Sequence, residues 1–264
     1  MEVGVHMVSY EEFTKQIQKL TGIDLSQYKE KQMKRRIDSL IAKNSIVGYD
    51  NYINALKSDK KLYDEFLNYI TINVSEFFRN KEQWTLLEKE IVPYLIDKFG
   101  KKLKIWSAAC STGEEPYSLV MLLSNFMPLE NIRIIATDID KKVLEKAKQG
   151  VYKSRELAGI PDDYIKKFFD EVDKNTYKVK DKVRACVDFS IHNLLADEYP
   201  KDCDLIVCRN VMIYFTEEAK RNIYIKFNAV LKRQAVLFVG STEQIIGYQK
   251  IGYESYKSFF YKKA

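Results

Sequence analysis

The segment Ile105-Trp-Ser-Ala-Ala-Cys-Ser-Thr-Gly-Glu-Glu-Pro-Tyr-Ser118 constrains the fold more than any other stretch of the chain. An apolar β-type run ends in small residues, turns through Ser111, Thr112 and Gly113, and restarts as a helix with Glu114, Glu115 and Pro116 in its first turn. Strand–loop–helix units of this kind build the cofactor crevice of doubly wound α/β proteins. The loop holds a single glycine and so lacks the G-x-G-x-x-G pattern of dinucleotide binders. It also puts two carboxylates where a phosphate would want the bare helix N-terminus. The pattern suits a ligand that carries positive charge and no phosphate. S-adenosylmethionine, with its sulfonium and α-ammonium groups, is such a ligand.

Around this unit, strands and helices alternate. A strand from Leu103 to Ala108 leads to a helix from Pro116 to Phe126, and a strand from Ile132 to Thr137 to a helix from Lys141 to Lys148. Phe168-Phe169, Tyr177 to Val179 and Val183 to Phe189 show short strand-like alternation. Asp204 to Cys208 reads as a buried strand. Thr216-Glu217-Glu218 is an N-cap signal opening a helix through Leu231. Ala235 to Gly240 is a fifth strand, and Tyr253 to Tyr261 a terminal hairpin. Such alternation implies a mostly parallel sheet. Ahead of it, Ser9 to Ile70 reads as helices. Tyr10 to Leu20 places Phe13, Ile17 and Leu20 on one face, and Gly22 and Asp24 mark a break. Tyr28 to Lys43 turns Met33, Ile37, Leu40 and Ile41 inward and carries Lys29, Lys31, Lys34, Arg35 and Arg36 on its other face. Asn51 to Leu56 and Lys61 to Tyr69 complete the helical region.

The 264 residues fit one large domain, or an α/β domain with a small companion. A net charge of +6 favours anionic partners without naming them. No apolar run approaches the ~20 residues of a membrane span, and the N-terminus lacks a signal-peptide pattern, so a cytoplasmic protein is expected. The first residues, through His6 and Met7, resemble a cloning remnant and receive no role. Cys110, Cys186, Cys203 and Cys208 lack C-x-x-C spacing, and His6 and His192 are the only histidines. That pattern leads to free buried thiols and to no metal site. Cys110 has no histidine placed to activate it as a nucleophile.

Three further stretches are candidates for chemistry. Asp138 ends the second strand about 25 residues after Gly113, where crevice-binding folds place an acid on the ribose hydroxyls. A helix cap before Lys141 is the alternative, and Asp140 is available for that job. Asn73-Val-Ser-Glu-Phe-Phe-Arg79 joins the helical region to the sheet region and by composition reads as a hydrophobic latch. Cys208-Arg-Asn-Val-Met-Ile-Tyr-Phe215 follows a buried strand. It offers Arg209, Asn210 and Tyr214 at the sheet edge, or else forms a surface loop with a packed tyrosine. His192-Asn193-Leu194 is a weaker case of the same placement.

These segments, taken together, resemble the CheR family of chemotaxis receptor methyltransferases. The matching stretches are residues 73–79, 106–118, 136–140, 193–194 and 208–215, in the family's order across nearly the whole chain. The resemblance implies an all-helical N-terminal domain (1–72), a linker and connecting helix (73–102) and a Rossmann-like α/β S-adenosylmethionine-dependent methyltransferase domain (103–264). A small antiparallel β-subdomain is expected within the last, about residues 169–190. Cofactor contacts map onto Asn73, Ser75, Arg79, Glu115, Asp138, Asn193, Leu194, Arg209 and Asn210, with Glu115 on the α-ammonium and Asp138 on the ribose. Ser75 stands where many members have threonine. Arg79 and Tyr214 are the expected catalytic residues, and no metal is expected.

The implied partner is the glutamate-rich helical bundle of a chemoreceptor, methylated on glutamate side chains. Lys29, Lys31, Lys34, Arg35 and Arg36 form the expected docking face, unless they are simply a solvated charged face. Neither nucleic acid nor membrane insertion is expected, and the default oligomeric state is a monomer. Asp170 to Tyr177 is shorter than the loop by which some members grip a receptor C-terminal pentapeptide, and it lacks glycine. Independence from that tether follows as an expectation. A methyltransferase for another substrate, or a receptor adaptor that binds the cofactor without transfer, are the alternatives.

Overall fold

The computed structural model describes residues 8–264, so the expectation about His6 and Met7 lies outside the described residues. The chain divides into two compact units. The first comprises the N-terminal segment through Ile72 together with Tyr214–Arg221. Its helices are α1 (Tyr10–Thr21), α2 (Glu30–Lys43), α3 (Tyr49–Ser58) and α4 (Lys60–Thr71). A capping box starts α1, with Ser9 and Glu12 exchanging bonds, and Gly22 ends it in the left-handed conformation. Asp59 caps α4 through the N–H groups of Lys61 and Leu62. Phe13, Ile17, Met33, Ile37, Leu40, Tyr52 and Phe66 form its buried core. The inward faces expected for α1 and α2 are observed, except that Leu20 is only half-buried. Residues 214–221 join this unit because Lys29 N–H donates to the Tyr214 carbonyl at 2.9 Å and Thr216 N–H to the Gln27 carbonyl at 2.8 Å.

The second unit opens with residues 73–80, then runs through α5 (Lys81–Leu86), a π-helical turn at Leu87–Ile91 and α6 (Val92–Phe99). It continues with β1 (Ile105–Ala108), α7 (Glu114–Leu123), β2 (Ile134–Asp138), α8 (Lys141–Gln149), β3 (Val151–Lys153), α9 (Asp162–Phe168), β4 (Phe169–Asp173) and β5 (Thr176–Val179). There follow α10 (Asp181–Arg184), β6 (Val187–Ile191), β7 (Cys203–Cys208), α11 (Glu217–Val230), β8 (Leu231–Val239), β9 (Tyr253–Lys257) and β10 (Phe260–Lys263). The main sheet runs β6-β2-β1-β7-β8-β10-β9. The first five of these strands are parallel, and β10 is antiparallel to both its neighbours. After β1 the chain moves outward to β2 and β6, then returns to β7 on the other side. The C-terminal ends of β1 and β7 therefore flank a topological switch point, where α/β folds bind ligands.

Trp106 locks this centre. Its side chain is wholly buried and donates to Thr137 Oγ1 at 2.9 Å. The rings of His192, Tyr199 and Phe227 pack edge-on against it.

Three sequence expectations need correction. The small antiparallel sheet is β3-β5-β4, within Val151–Val179, rather than residues 169–190. β3 is too short to show periodicity, and β6 pairs parallel with β2 as the edge of the main sheet. The stretch expected to begin a strand at Val183 starts as α10. The helix expected to reach Leu231 ends at Val230, because Leu231 already pairs with Cys203.

Candidate active site

The loop between β1 and α7 is shaped by left-handed backbone at Ala109, Ser111 and Gly113, with φ of 64°, 50° and 97°. A side chain at Gly113 would stand 2.9 Å from the Ala147 Cβ, so only glycine lets the loop close against α8. The Tyr152 hydroxyl donates to the Thr112 carbonyl at 2.7 Å and ties down the turn. These constraints place Glu115 in the first turn of α7 with little exposure. Its Oε1 accepts from the Ser107 hydroxyl at 2.8 Å, and its Oε2 lies 3.8 Å from Arg209 Nη1. Burial pushes the Glu115 carboxyl up to about 7, opposed by Arg209 and by the Ser107 hydrogen bond.

Asp138, at the end of β2, is 6% exposed. It accepts the Ser111 N–H at 2.8 Å and the Asp140 N–H at 3.0 Å. Burial raises it to about 6, and those backbone bonds hold it back. Asp140 caps α8, accepting from Lys142 N–H, and its Oδ2 accepts from Asn73 Nδ2 at 2.8 Å. The cap and the strand-end acid are therefore different residues. That leaves Asp138 beside the crevice loop.

Residues 73–80 reach this sheet edge through backbone strain and a few bonds. Phe78 and Asn80 are left-handed, at φ of 51° and 63°, and such outliers cluster where a function demands them. Phe78 N–H donates to the Ser118 hydroxyl, which in turn donates to the Glu114 carbonyl. Phe77 is buried and its ring meets Tyr152 and Phe169 edge-on, all within the second unit, so these ring contacts form no latch to the helical one. Arg79 donates one bond to the Val74 carbonyl at 3.2 Å.

Ser75, Arg79, Glu115, Arg209 and Asn210 come together around one pocket of about 330 Å³, counting its open mouth. Ala109, Cys110 and Ser111 complete its floor. Arg209 is 7% exposed and spends Nη2 on the Arg79 carbonyl, Asn80 Oδ1 and Gln83 Oε1. Its guanidinium also faces the rings of Trp84 and Phe238. Much of Arg209 is thus engaged in bracing the turn that carries Arg79. Asn193 and Leu194 follow β6 on the same sheet edge, two strands from β1, and do not line this pocket. Asn193 Oδ1 accepts from Leu195 N–H, and the Leu194 carbonyl accepts from the Tyr199 hydroxyl. His192 N–H donates to the Asp138 carbonyl, which keeps that turn next to Asp138. Tyr214 belongs to the helical unit. The Cys110 thiol is driven well up by burial and by the Asp138 and Glu115 charges, which leaves it unreactive as a nucleophile.

Sequence reasoning missed Ser107, Gln83 and Glu243. Ser107 carried a faint signal, as a lone hydroxyl inside an apolar strand. Glu243 carried another, as an acid just beyond the last buried parallel strand. The site's donor set fits S-adenosylmethionine. Glu115 Oε2 lies 3.8 Å from Arg209, beyond hydrogen-bond reach, and so can accept an ammonium, and the Ser111 hydroxyl is buried without a partner.

On the helical unit, Lys31, Lys34 and Arg35 line one shallow groove with Asp38. Lys29 is exposed as well. Arg36 departs from the expected docking face. It is half-buried, donates to the Tyr69 carbonyl and lies over the Tyr69 ring at 4.5 Å. No helix among the described residues is long and apolar enough to cross a membrane.

Residues 73–258 match the family model described as CheR methyltransferase, SAM binding domain, and residues 9–71 match CheR methyltransferase, all-alpha domain. A chemotaxis protein methyltransferase of Listeria monocytogenes is 44% identical over 251 residues, 95% of each chain. One from Borreliella burgdorferi is 34% identical, covering 88% of this chain and 86% of its own. One from Escherichia coli is 32% identical, covering 84% and 79%.

Proposed function

The chain belongs to the CheR family of chemotaxis methyltransferases, and from that premise we propose that it methylates glutamate side chains of chemoreceptors with S-adenosylmethionine as donor. The observation that carries the reading is the convergence of Glu115, Ser75, Arg79 and Asn210 on one pocket at the switch point of the sheet.

The donor supplies a methyl group on a sulfonium, ready for direct displacement by an oxygen nucleophile. A glutamate carboxylate, with a pKa of about 4.3, is already ionised at neutral pH and needs no general base. Catalysis then consists of alignment and exclusion of water. Glu115 would hold the donor's α-ammonium as an ionised carboxylate, any proton it carries in the unliganded protein passing to solvent. Asp138 takes the ribose hydroxyls while its backbone bonds keep it oriented. Arg79, whose guanidinium donates to the Val74 carbonyl, orients the substrate carboxylate. Its pairing must stay loose, since tight pairing would dull the nucleophile.

Lys29, Lys31, Lys34 and Arg35 steer the acidic receptor bundle, by field more than by fixed contacts. The hairpin of β4 and β5 closes through Lys174-Asn175 alone, and this short turn supports independence from a receptor pentapeptide tether. The test is transfer of labelled methyl to a receptor cytoplasmic fragment that ends before its C-terminal pentapeptide. Label released as methanol by mild base identifies a glutamyl ester. Label that resists base, or that appears only on the intact receptor tail, refutes the ester or the tether reading respectively.

A further inference from the structure

The loop that follows β7 is held in shape by a side chain outside all the recognised motifs. Glu243, four residues beyond β8, is 4% exposed. Its Oε2 accepts the N–H groups of Asn210 at 2.6 Å and Gly240 at 2.8 Å, and its Oε1 accepts the Met212 N–H at 2.7 Å. Three backbone donors converging on one buried carboxylate make short, charge-assisted bonds. They hold Asn210 at φ 62°, a conformation that ordinary side chains resist. The space around this arrangement is closed. A Cβ added at Gly240 would lie 2.5 Å from Glu243 Oε2 and 2.9 Å from the Asn210 nitrogen. The effect reaches the pocket through the adjoining residue, because Arg209 faces Glu115 and braces the Arg79 carbonyl.

We propose that Glu243 is a positioning residue for methyl-donor binding. It fixes the Arg209–Met212 turn, so that Asn210 and Arg209 meet the pocket already arranged. Loss of this staple weakens the donor's binding more than it slows the transfer step. The inference rests on the reading of this pocket as the S-adenosylmethionine site.

The test uses the full chain with Glu243→Gln and, separately, Gly240→Ala. Glu243→Gln sets an NH2 group against a backbone N–H, while Gly240→Ala displaces the carboxylate without removing its charge. For both, the Kd of S-adenosylhomocysteine by calorimetry should rise at least about tenfold, the scale of one lost charged hydrogen bond. The kcat at saturating donor should stay within about threefold, since only binding shared by ground and transition state is lost. Amide exchange should accelerate at Asn210, Met212 and Gly240 ahead of the rest of the sheet. If Glu243→Gln does not fold, Gly240→Ala decides on the same readings. Variants that melt earlier yet bind S-adenosylhomocysteine like the parent overturn the inference and leave Glu243 a stability residue. Parent protein that fails to bind S-adenosylhomocysteine overturns the pocket reading, and this inference with it.

Discussion

Burial holds the Glu115 carboxyl near 7 against an ordinary 4.5, with Arg209, Ser107 and Arg79 pulling it down and Glu243 pushing it up. A raised carboxyl favours the fold while it is protonated. Its contribution is present below 4.5 and is lost as the pH rises through about 7. Glu115→Gln should therefore stabilise the unliganded protein at pH 8 by roughly 3 kcal/mol and at pH 5 by less than about 1 kcal/mol, measured by denaturant unfolding. On the proposed role of Glu115, donor binding has the opposite sign, because the ammonium needs the ionised carboxylate. The Kd of S-adenosylhomocysteine should climb about tenfold per pH unit below 7, and more steeply below 6 where Asp138 also protonates. Glu115→Gln should bind weakly and flatten the upper part of that profile. Arg79→Ala, in contrast, should cut methyl transfer by about a hundredfold or more while changing the Kd of S-adenosylhomocysteine by less than about fivefold. Equal losses would reassign Arg79 to the donor pocket. The placement of Glu115 and Asp138 as site candidates was legible because chemistry and chain position coincide there: an acid in the first turn of a helix after a buried strand, and an acid at the next strand's end. Ser107 and Glu243 were not, because each acts through a partner that only folding brings near.

At the scale of elements, α2 shows what a helical pattern can and cannot reveal. The 3.6-residue period identifies its buried face, and Met33, Ile37, Leu40 and Ile41 are all buried. The same period assigns the basic residues to one outer face, but it cannot tell a solvated cation from one recruited by a neighbouring helix. Arg36 is recruited: its guanidinium caps the end of α4 at the Tyr69 carbonyl and stacks on the ring. Arg36→Ala should cost about 1–2 kcal/mol in denaturant unfolding. Lys31→Glu with Arg35→Glu should leave stability within about 0.5 kcal/mol, as for exposed surface changes. That double reversal should slow receptor methylation several-fold and weaken its salt dependence. Methylation kinetics unchanged by the double reversal would leave these cations as a solvated face. The short strands carry the converse lesson. β3 has three residues, and β6 alternates as well in a parallel edge as in a hairpin, so the boundaries of the small sheet came from pairing alone.

For the molecule as a whole, the net charge of +6 sets the expectation that encounter with an acidic partner, as proposed for the receptor bundle, is steered. Raising ionic strength from about 0.05 to 0.5 M should lower kcat/KM for the receptor several-fold through screening. The Kd of S-adenosylhomocysteine, set within a buried pocket, should change by less than about twofold. A donor affinity as salt-sensitive as the receptor reaction would remove the case for steering. The sequence by itself determined the class of fold, the helical segment ahead of it, the crevice loop and most of the residues around it. Local periodicity, turn chemistry and the placement of acids at strand ends are all properties of neighbours along the chain. Tertiary structure alone decided which cations are spent internally, that Arg209 braces residues 79–83 across the fold, and that Glu243 holds the turn at Asn210. Those contacts join residues 33 to 130 positions apart, and their cost and gain exist only once burial has removed water from both partners.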